Sequence, residues 1–142
     1  MSSLSTAAVS AIMAALTGVP GLPAPDRIRL RPVSLEKDQA VVVRPLGAQP
    51  AHADMAGMPT AWATSIAVEC YARSKASIAP DVSVDAMSQA AYAAVMADPT
   101  LGGIAYATEP GAIAFDFEAD GDQTACASIT FTVFQRAAPS AF

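Results

Sequence analysis

The sequence is short of charged residues, and it has no lysine or arginine between Ala76 and Gln135. Charged residues make up only 15% of the chain, whereas 53% of it is hydrophobic. A segment without bases cannot grip nucleic acid, because that requires clustered lysine and arginine to displace counterions from phosphate. The low charge is typical of a surface partly covered in an assembly, although an alanine-rich proteome would give the same bias.

The few charges that are present are unevenly divided along the chain. Residues 1–75 carry seven bases and five acids, whereas residues 76–142 carry eight acids and a single base, Arg136. Such an acidic half would repel a polyanion rather than bind it. The division therefore predicts a negative surface contributed by the second half of the chain.

Side chains that commonly carry chemistry are also scarce. His52 is the sole histidine and has no cysteine beside it, so an ordinary loop histidine is predicted rather than a metal ligand or a base. Cys70 and Cys126 fall in predicted strands, and buried free thiols in a reducing compartment are favoured over a disulfide. The sequence has no nucleophile elbow, P-loop or dinucleotide-binding fingerprint. We expect no enzyme, no catalytic residue, no bound metal and no cofactor.

An acidic run near residue 118 has the spacing of the start of a calcium-binding loop. It consists of Asp116, Glu118 and Asp120, but its twelfth position is Ala127 instead of the bidentate glutamate that such a loop needs. The same residues alternate as in a strand, which predicts that Phe115 points inward and the acids outward. A strand with a negative outer surface is therefore preferred over a calcium site.

Residues 4–17 have apolar side chains at helical spacing and form the first predicted helix. No base precedes this run, so it is not expected to be a secretion signal, and it is too short to span a membrane. Its outer side is uncharged. Ordinary exposure of Ser, Thr and Ala explains this as well as cover from a neighbouring subunit.

The second predicted helix begins near Asp81 or Ser83, either of which could cap it. Tyr92 and Met96 share another side of this helix and are unusually apolar for a solvent-facing position. Asp98 and the proline after it end the helix. The residues expected to form its core stripe are Val84, Met87, Ala91, Ala94 and Val95.

The whole chain, residues 1–142, is predicted to be one α+β domain. A single antiparallel or mixed β-sheet packs with two α-helices, in the order α-β-β-β-α-β-β-β. Residues 45–59 are rich in glycine and proline and are predicted to be a long loop or hairpin tip. The six strands are expected at residues 27–33, 41–44, 61–75, 104–108, 112–119 and 124–136.

Three segments of the sequence resemble a known family. They are WATSIAVECYAR at 62–73, the helix from Val84 that runs into DPTLGG at 98–103, and FTVFQR at 131–136. These segments are similar to the tail terminator proteins (minor tail protein U-like) of long-tailed bacteriophages. The similarity covers nearly the whole chain, its motifs are structural rather than catalytic, and the helix followed by DPTLGG is the best single marker.

The resemblance implies a structural virion protein in the tail or neck, assembled in the host cytoplasm. Members of this family form a hexameric ring on the last ring of the tail tube, stop tube polymerisation and present a face to the head-side connector. The implied partners are further copies of the chain, the tail-tube protein and the connector or neck protein. Genomic DNA would pass through the ring without specific binding, and no membrane is involved.

The resemblance also suggests roles for particular residues. A subunit interface would include Tyr92, Met96 and Trp62, although the residue pattern alone favours a core position for Trp62. The acidic lining of the DNA channel would include Asp116, Glu118, Asp120 and Asp122. The segment that contacts the tube or connector would include His52, Asp54, Met55 and Met58.

Two other functions remain open from the sequence. A phage neck adaptor or tail completion protein would have the same size and α+β character and would bind head proteins instead of the tube. A small-ligand-binding domain would use the hydrophobic face of the sheet and would stay a monomer or dimer.

Overall fold

In the computed structural model, one mixed five-stranded sheet is covered on one face by two helices, which confirms the α+β class. The structure describes residues 3–27, 39–53, 59–73, 79–116 and 124–136. The sheet order is β1-β2-β3-β5-β4, with β1 parallel to β2 and all other pairs antiparallel. The elements are α1 (Leu4–Leu16), β1 (Pro25–Arg27), β2 (Gln39–Ala53), β3 (Pro59–Arg73), α2 (Pro80–Met96), β4 (Ala107–Asp116) and β5 (Thr124–Arg136).

Helix α1 forms as its pattern predicts, with a clear start and an apolar inner face. The Ser3 hydroxyl accepts a hydrogen bond from the Thr6 backbone N–H at 3.2 Å and so caps the first turn. Gly18, with a φ of 77°, turns the chain away after the last helical residue. Four side chains are buried against the sheet and α2: Ala8, Val9, Ile12 and Leu16.

Helix α2 also forms, but the predicted cap is wrong. The helix begins at Pro80 with Ala79 at the N-cap position, and no side chain caps it. Proline is suited to the first helical position because its fixed φ matches the helix and its missing N–H is not needed there. The predicted stripe is otherwise confirmed, since all its members are buried except Ala94, which is partly buried.

The turn after α2 is held by the side chain of Asp98. Its carboxylate accepts hydrogen bonds from the backbone N–H groups of Thr100 at 3.1 Å and Gly102 at 2.9 Å. The Thr100 hydroxyl donates a further bond, and these three bonds lower the pKa of the Asp98 carboxyl. The DPTLGG segment therefore ends the helix and reverses the chain toward β4.

Strand β2 is much longer than predicted. The sequence predicts a strand over residues 41–44 followed by a loop, but residues 45–53 continue the same strand and pair with β3. Pro45 and Pro50 suggested a loop because proline cannot donate to a sheet ladder. The strand accommodates them with register shifts between Pro45 and Gly47 and again near His52.

Strand β4 replaces the two short strands predicted at residues 104–108 and 112–119. Ile104 lies in the turn before the strand, and one strand runs from Ala107 to Asp116. Its register with β5 shifts between Pro110 and Ile113. The expected break is therefore an irregularity within one strand. Residues 117–119 of the strand predicted at 112–119, and residues 28–33 of the strand predicted at 27–33, lie outside the described residues.

The core lies between the sheet and the two helices. β3 contributes Ile66, Val68 and Cys70, which are fully buried, and β5 contributes Ile129 and Phe131 in register with them. Facing residues of paired strands share a side of the sheet, so the alternate residues point to the opposite side. That opposite side, the helix-free face, carries Glu69, Tyr71 and Arg73.

Candidate interaction surface

Strand β4 forms one border of the sheet and exposes large apolar side chains there. It is last in the sheet order, and among the described residues no strand pairs with its outer edge. Ile113 is 44% exposed and Phe115 is 47% exposed. Helix α2 packs on β3 and β5 rather than on β4. The prediction that Phe115 points inward is confirmed for the side of the sheet, since Phe115 lies opposite the buried Ala127, but its side chain is exposed because the two described helices pack mainly on other strands.

The predicted interface residues of α2 are only partly on the surface. Tyr92 is 39% exposed, and its ring stacks on the buried Phe131 ring with 6.4 Å between centroids. Met96 is half-buried and packs against the core. The Tyr92 ring therefore packs on the core and leaves part of its side chain exposed to solvent. Met96 offers less exposed area to a partner.

Trp62 lies at the end of the sheet beyond the helices. It is half-buried on β3, opposite Pro50 of β2 and Gln135 of β5. Its pairing puts it on the same side of the sheet as the core residues Thr64 and Ile66. The structure therefore brings it neither to Tyr92 nor to the β4 edge, and Trp62 belongs to a separate region of the surface.

A second exposed corner lies on β2, toward the opposite border of the sheet. Leu46 is 52% exposed at the register shift after Pro45. Next to it, Arg44 lies on the helix-free face, and its Nε is 3.3 Å from the Glu69 carboxylate. This corner could not be predicted from the sequence, because a leucine between two prolines in a predicted loop has no periodic pattern around it.

The acidic residues assigned to the channel are described only in part. Asp116 is exposed at the end of β4, on the helix-free face, opposite Cys126 of β5. Glu109 is exposed on the same face of β4, although it was not singled out from the sequence. The other three predicted lining residues, Glu118, Asp120 and Asp122, lie outside the described residues.

A shallow recess on the helix-free face collects polar side chains. Its volume is about 340 Å³, and its lining includes Glu69, Tyr71, Asp116 and Cys126. Burial, reinforced by the nearby Glu69, raises the pKa of the Cys126 thiol to about 11. Burial likewise raises the pKa of the Tyr71 phenol well above its usual range. Both groups stay protonated near neutral pH, so neither serves as a nucleophile or base there.

The two cysteines are free and buried, as predicted. Cys70 faces the core opposite Ala127, whereas Cys126 faces the other side of the sheet opposite Tyr71. Side chains that point to opposite sides of a sheet cannot be joined by a disulfide, because their Cβ atoms diverge. Within the described residues, no group of three or more His, Cys, Asp and Glu side chains is placed to hold a metal ion.

The predicted contact loop is described at only one of its four named residues. His52 belongs to β2 and its backbone pairs with Ala61, so its assignment to a loop is wrong. Asp54, Met55 and Met58 lie outside the described residues.

Neither helix of the described chain is long and apolar enough to cross a membrane. No protein-family model matches the chain, and no curated protein matches it at a significant level.

Proposed function

We propose that the chain is a structural protein of a long-tailed phage that forms a ring on the head-proximal end of the tail tube. In this role it ends tube polymerisation and joins the tail to the head-side connector. The proposal rests on the sequence resemblance described above and on one feature of the fold, the apolar border of the sheet at β4. Large exposed apolar side chains next to each other commonly mark a protein interface.

The border at β4 supports an assembled protein over an isolated one. Ile113 and Phe115 are alternate residues on one side of an edge strand, and both are exposed. An unpaired edge that exposes apolar side chains invites association with another chain. A subunit that functions in a ring would cover this border, whereas a free monomer would leave it in contact with water.

The small-ligand-binding alternative has less support from the fold. That function requires the apolar face of the sheet to be available to a ligand. Here α1 and α2 fill this face, and side chains such as Ile12, Met87 and Phe131 are completely or almost completely buried between the layers. A ligand would have to displace a helix to reach the face.

The charge distribution suits a ring through which DNA moves. The described acids of the second half include Glu109 and Asp116 on the helix-free face of β4, and residues 76–135 contain no base to offset them. A negative wall repels phosphate and lets a polyanion pass without binding. The proposal retains Asp116, Glu118, Asp120 and Asp122 as lining residues and assigns no sequence-specific contact to DNA.

The test is the length of tail tubes that polymerise in the presence of the purified chain. Tail-tube protein should assemble into tubes that stop growing when the chain is added, with extra density at one end in electron micrographs. Tubes of unchanged length with bare ends would contradict the terminator function. If the chain leaves the tubes alone but binds isolated connector protein, the neck adaptor alternative is supported instead.

A further inference from the structure

The last base of the chain, Arg136, lies on the helix-free face beyond the acids of β4. Arg136 pairs with Ala61 and is an even number of residues from Cys126, which places both side chains on this face. Asp116 pairs with Cys126 of β5. At the usual rise of a strand, Arg136 lies about 33 Å further along β5 than Cys126. Glu109 lies between these two levels, so the described acids of β4 come first and the positive charge follows at the end of the sheet.

Two aromatic rings position the Arg136 guanidinium at the surface. Its Cζ lies 4.9 Å from the centroid of the Tyr106 ring, which is a cation–π contact. The Tyr106 ring in turn packs on the Phe134 ring, with 6.0 Å between the centroids. Tyr106 is 45% exposed and Arg136 is exposed as well. The rings therefore restrict the guanidinium without covering it.

Within the described residues, Arg136 forms no ion pair with a carboxylate. By contrast, Arg44 on the same face is 3.3 Å from the Glu69 carboxylate. A cation–π contact uses the flat face of a guanidinium and leaves the N–H groups along its edge available to an anion. Arg136 is therefore able to bind a phosphate while its face stays on the Tyr106 ring.

Small side chains flank this site on the sheet. Arg136 pairs with Ala61, and Phe134 pairs with Ala63 on one side and Ala107 on the other. A methyl group does not project far from the sheet, so these neighbours leave the guanidinium open to a wide ligand. A nucleic-acid backbone is such a ligand, and it carries the anions that a guanidinium binds.

We propose that Arg136, positioned by Tyr106, binds backbone phosphates of the DNA at one end of the ring's channel. The proposal rests on the ring function proposed above, in which the helix-free face lines the channel. Each copy would bring one arginine to the same end, and such phosphate contacts add up without reading the sequence. The acids of β4 would repel the duplex along the rest of the wall. DNA would thus be retained weakly at one end and would pass the remaining wall without binding.

The test is the retention of a short fluorescent DNA duplex by tail tubes that carry the chain at their ends, measured by co-sedimentation at several salt concentrations. Capped tubes should retain more duplex than bare tubes. Arg136→Gln should lower this retention at least about fivefold and make its salt dependence shallower, because each copy loses one phosphate contact. The matched control is Arg27→Gln, which removes the same charge from an exposed position on the helix side of β1, where Arg27 donates to the Ser10 hydroxyl.

A second pair of variants separates the position of the charge from the charge itself. Tyr106→Leu removes the ring under the guanidinium and should weaken retention while the salt dependence stays that of the wild type. Tyr106→Phe keeps the ring and should retain the duplex as the wild type does. Thermal melting and tube capping are measured for each variant, so that a folding defect is recognised.

The possible outcomes distinguish the site from the function. Wild-type caps that retain no more duplex than bare tubes would overturn the phosphate site and leave the ring function standing. Arg136→Gln caps that retain the duplex as well as the wild type would overturn it too. If Arg136→Gln prevents capping in the absence of DNA, Arg136 contacts an acidic protein surface and the proposed site is wrong. A wild-type chain that caps no tubes would overturn the ring function and this site together.

Discussion

At the residue scale, the turn between α2 and β4 depends on three consecutive residues in the left-handed region. Leu101, Gly102 and Gly103 have φ angles of 50°, 75° and 95°. Side chains rarely adopt such angles without strain, whereas glycine adopts them freely. This requirement gives the double glycine of DPTLGG a physical reason, and the sequence was sufficient to predict the turn.

Replacing Gly103 should therefore destabilise the fold through backbone strain alone. We expect Gly103→Ala to lower the free energy of unfolding by about 1–2 kcal/mol, although no heavy atom lies within 4 Å of the added Cβ. The matched control is Gly47→Ala on β2, which also has open space around its Cβ but no positive φ. That control should change the free energy by less than about 0.5 kcal/mol. Urea unfolding measures the free energy of unfolding of both variants. An equal loss of stability in Gly103→Ala and Gly47→Ala would contradict this explanation.

The thiols give a second prediction at this scale. Burial raises the pKa of Cys70 to about 12 and that of Cys126 to about 11. At pH 8 the thiolate fraction of each should be at least about a hundredfold below that of an ordinary cysteine, so alkylation of the folded chain should be correspondingly slow. Both thiols should react promptly in denaturant. Rapid modification of Cys126 in the folded chain, identified by mass spectrometry with Cys126→Ser as control, would contradict the burial of its thiol.

At the element scale, the sequence predicts best those elements whose pattern repeats over a long stretch. Helices α1 and α2 and strands β3 and β5 were found close to their expected bounds, because side-chain periodicity reflects a continuous buried face. The prediction ended β2 too early and divided β4 in two, because prolines and glycines within these strands were interpreted as turns or loops. Both strands lie near the borders of the sheet, where a missing N–H or a bulge costs little.

The exposed candidate surface was harder to predict than the elements that carry it. Alternation along β4 identifies the side of the strand to which Phe115 points, but it does not reveal whether a helix covers that side. The position of α2 over β3 and β5 decides this, and it is a tertiary property. For the same reason Tyr92 could be predicted as surface-exposed from the helical pattern, whereas Leu46 and Ile113 could not.

The two helix starts allow a stability prediction for whole elements. Ala79, in an extended conformation with ψ of 142°, occupies the N-cap position of α2 without a capping side chain. We expect Ala79→Ser to raise the free energy of unfolding by about 0.5–1 kcal/mol, because the hydroxyl can accept from the first turn of the helix. Conversely, Ser3→Ala should lower it by about 0.5–2 kcal/mol by removing the cap of α1. Thermal melting of both variants and the wild type measures these changes. A lower stability of Ala79→Ser than of the wild type would contradict the assigned helix start.

At the scale of the whole molecule, the fold separates the buried core from the apolar side chains that the proposed assembly would cover. Its core lies between the sheet and both helices. Large apolar side chains are exposed at both borders of the sheet, at Leu46 on one side and at Ile113 and Phe115 on the other, and also at Val82 and Tyr92 of α2 and at Ile104 and Tyr106 before β4. The proposed ring would therefore use surfaces outside the core, and a stable monomer before docking is compatible with it.

The most direct test of the ring function is native mass spectrometry of the purified chain, with and without tail-tube protein. We expect either a closed ring of identical copies in solution or a monomer that becomes a ring when tube ends are present. If the chain alone is a monomer, an unrelated protein of similar charge in place of tail-tube protein should not induce the ring. A chain that remains monomeric and ignores both tail-tube and connector protein would contradict the phage-tail function.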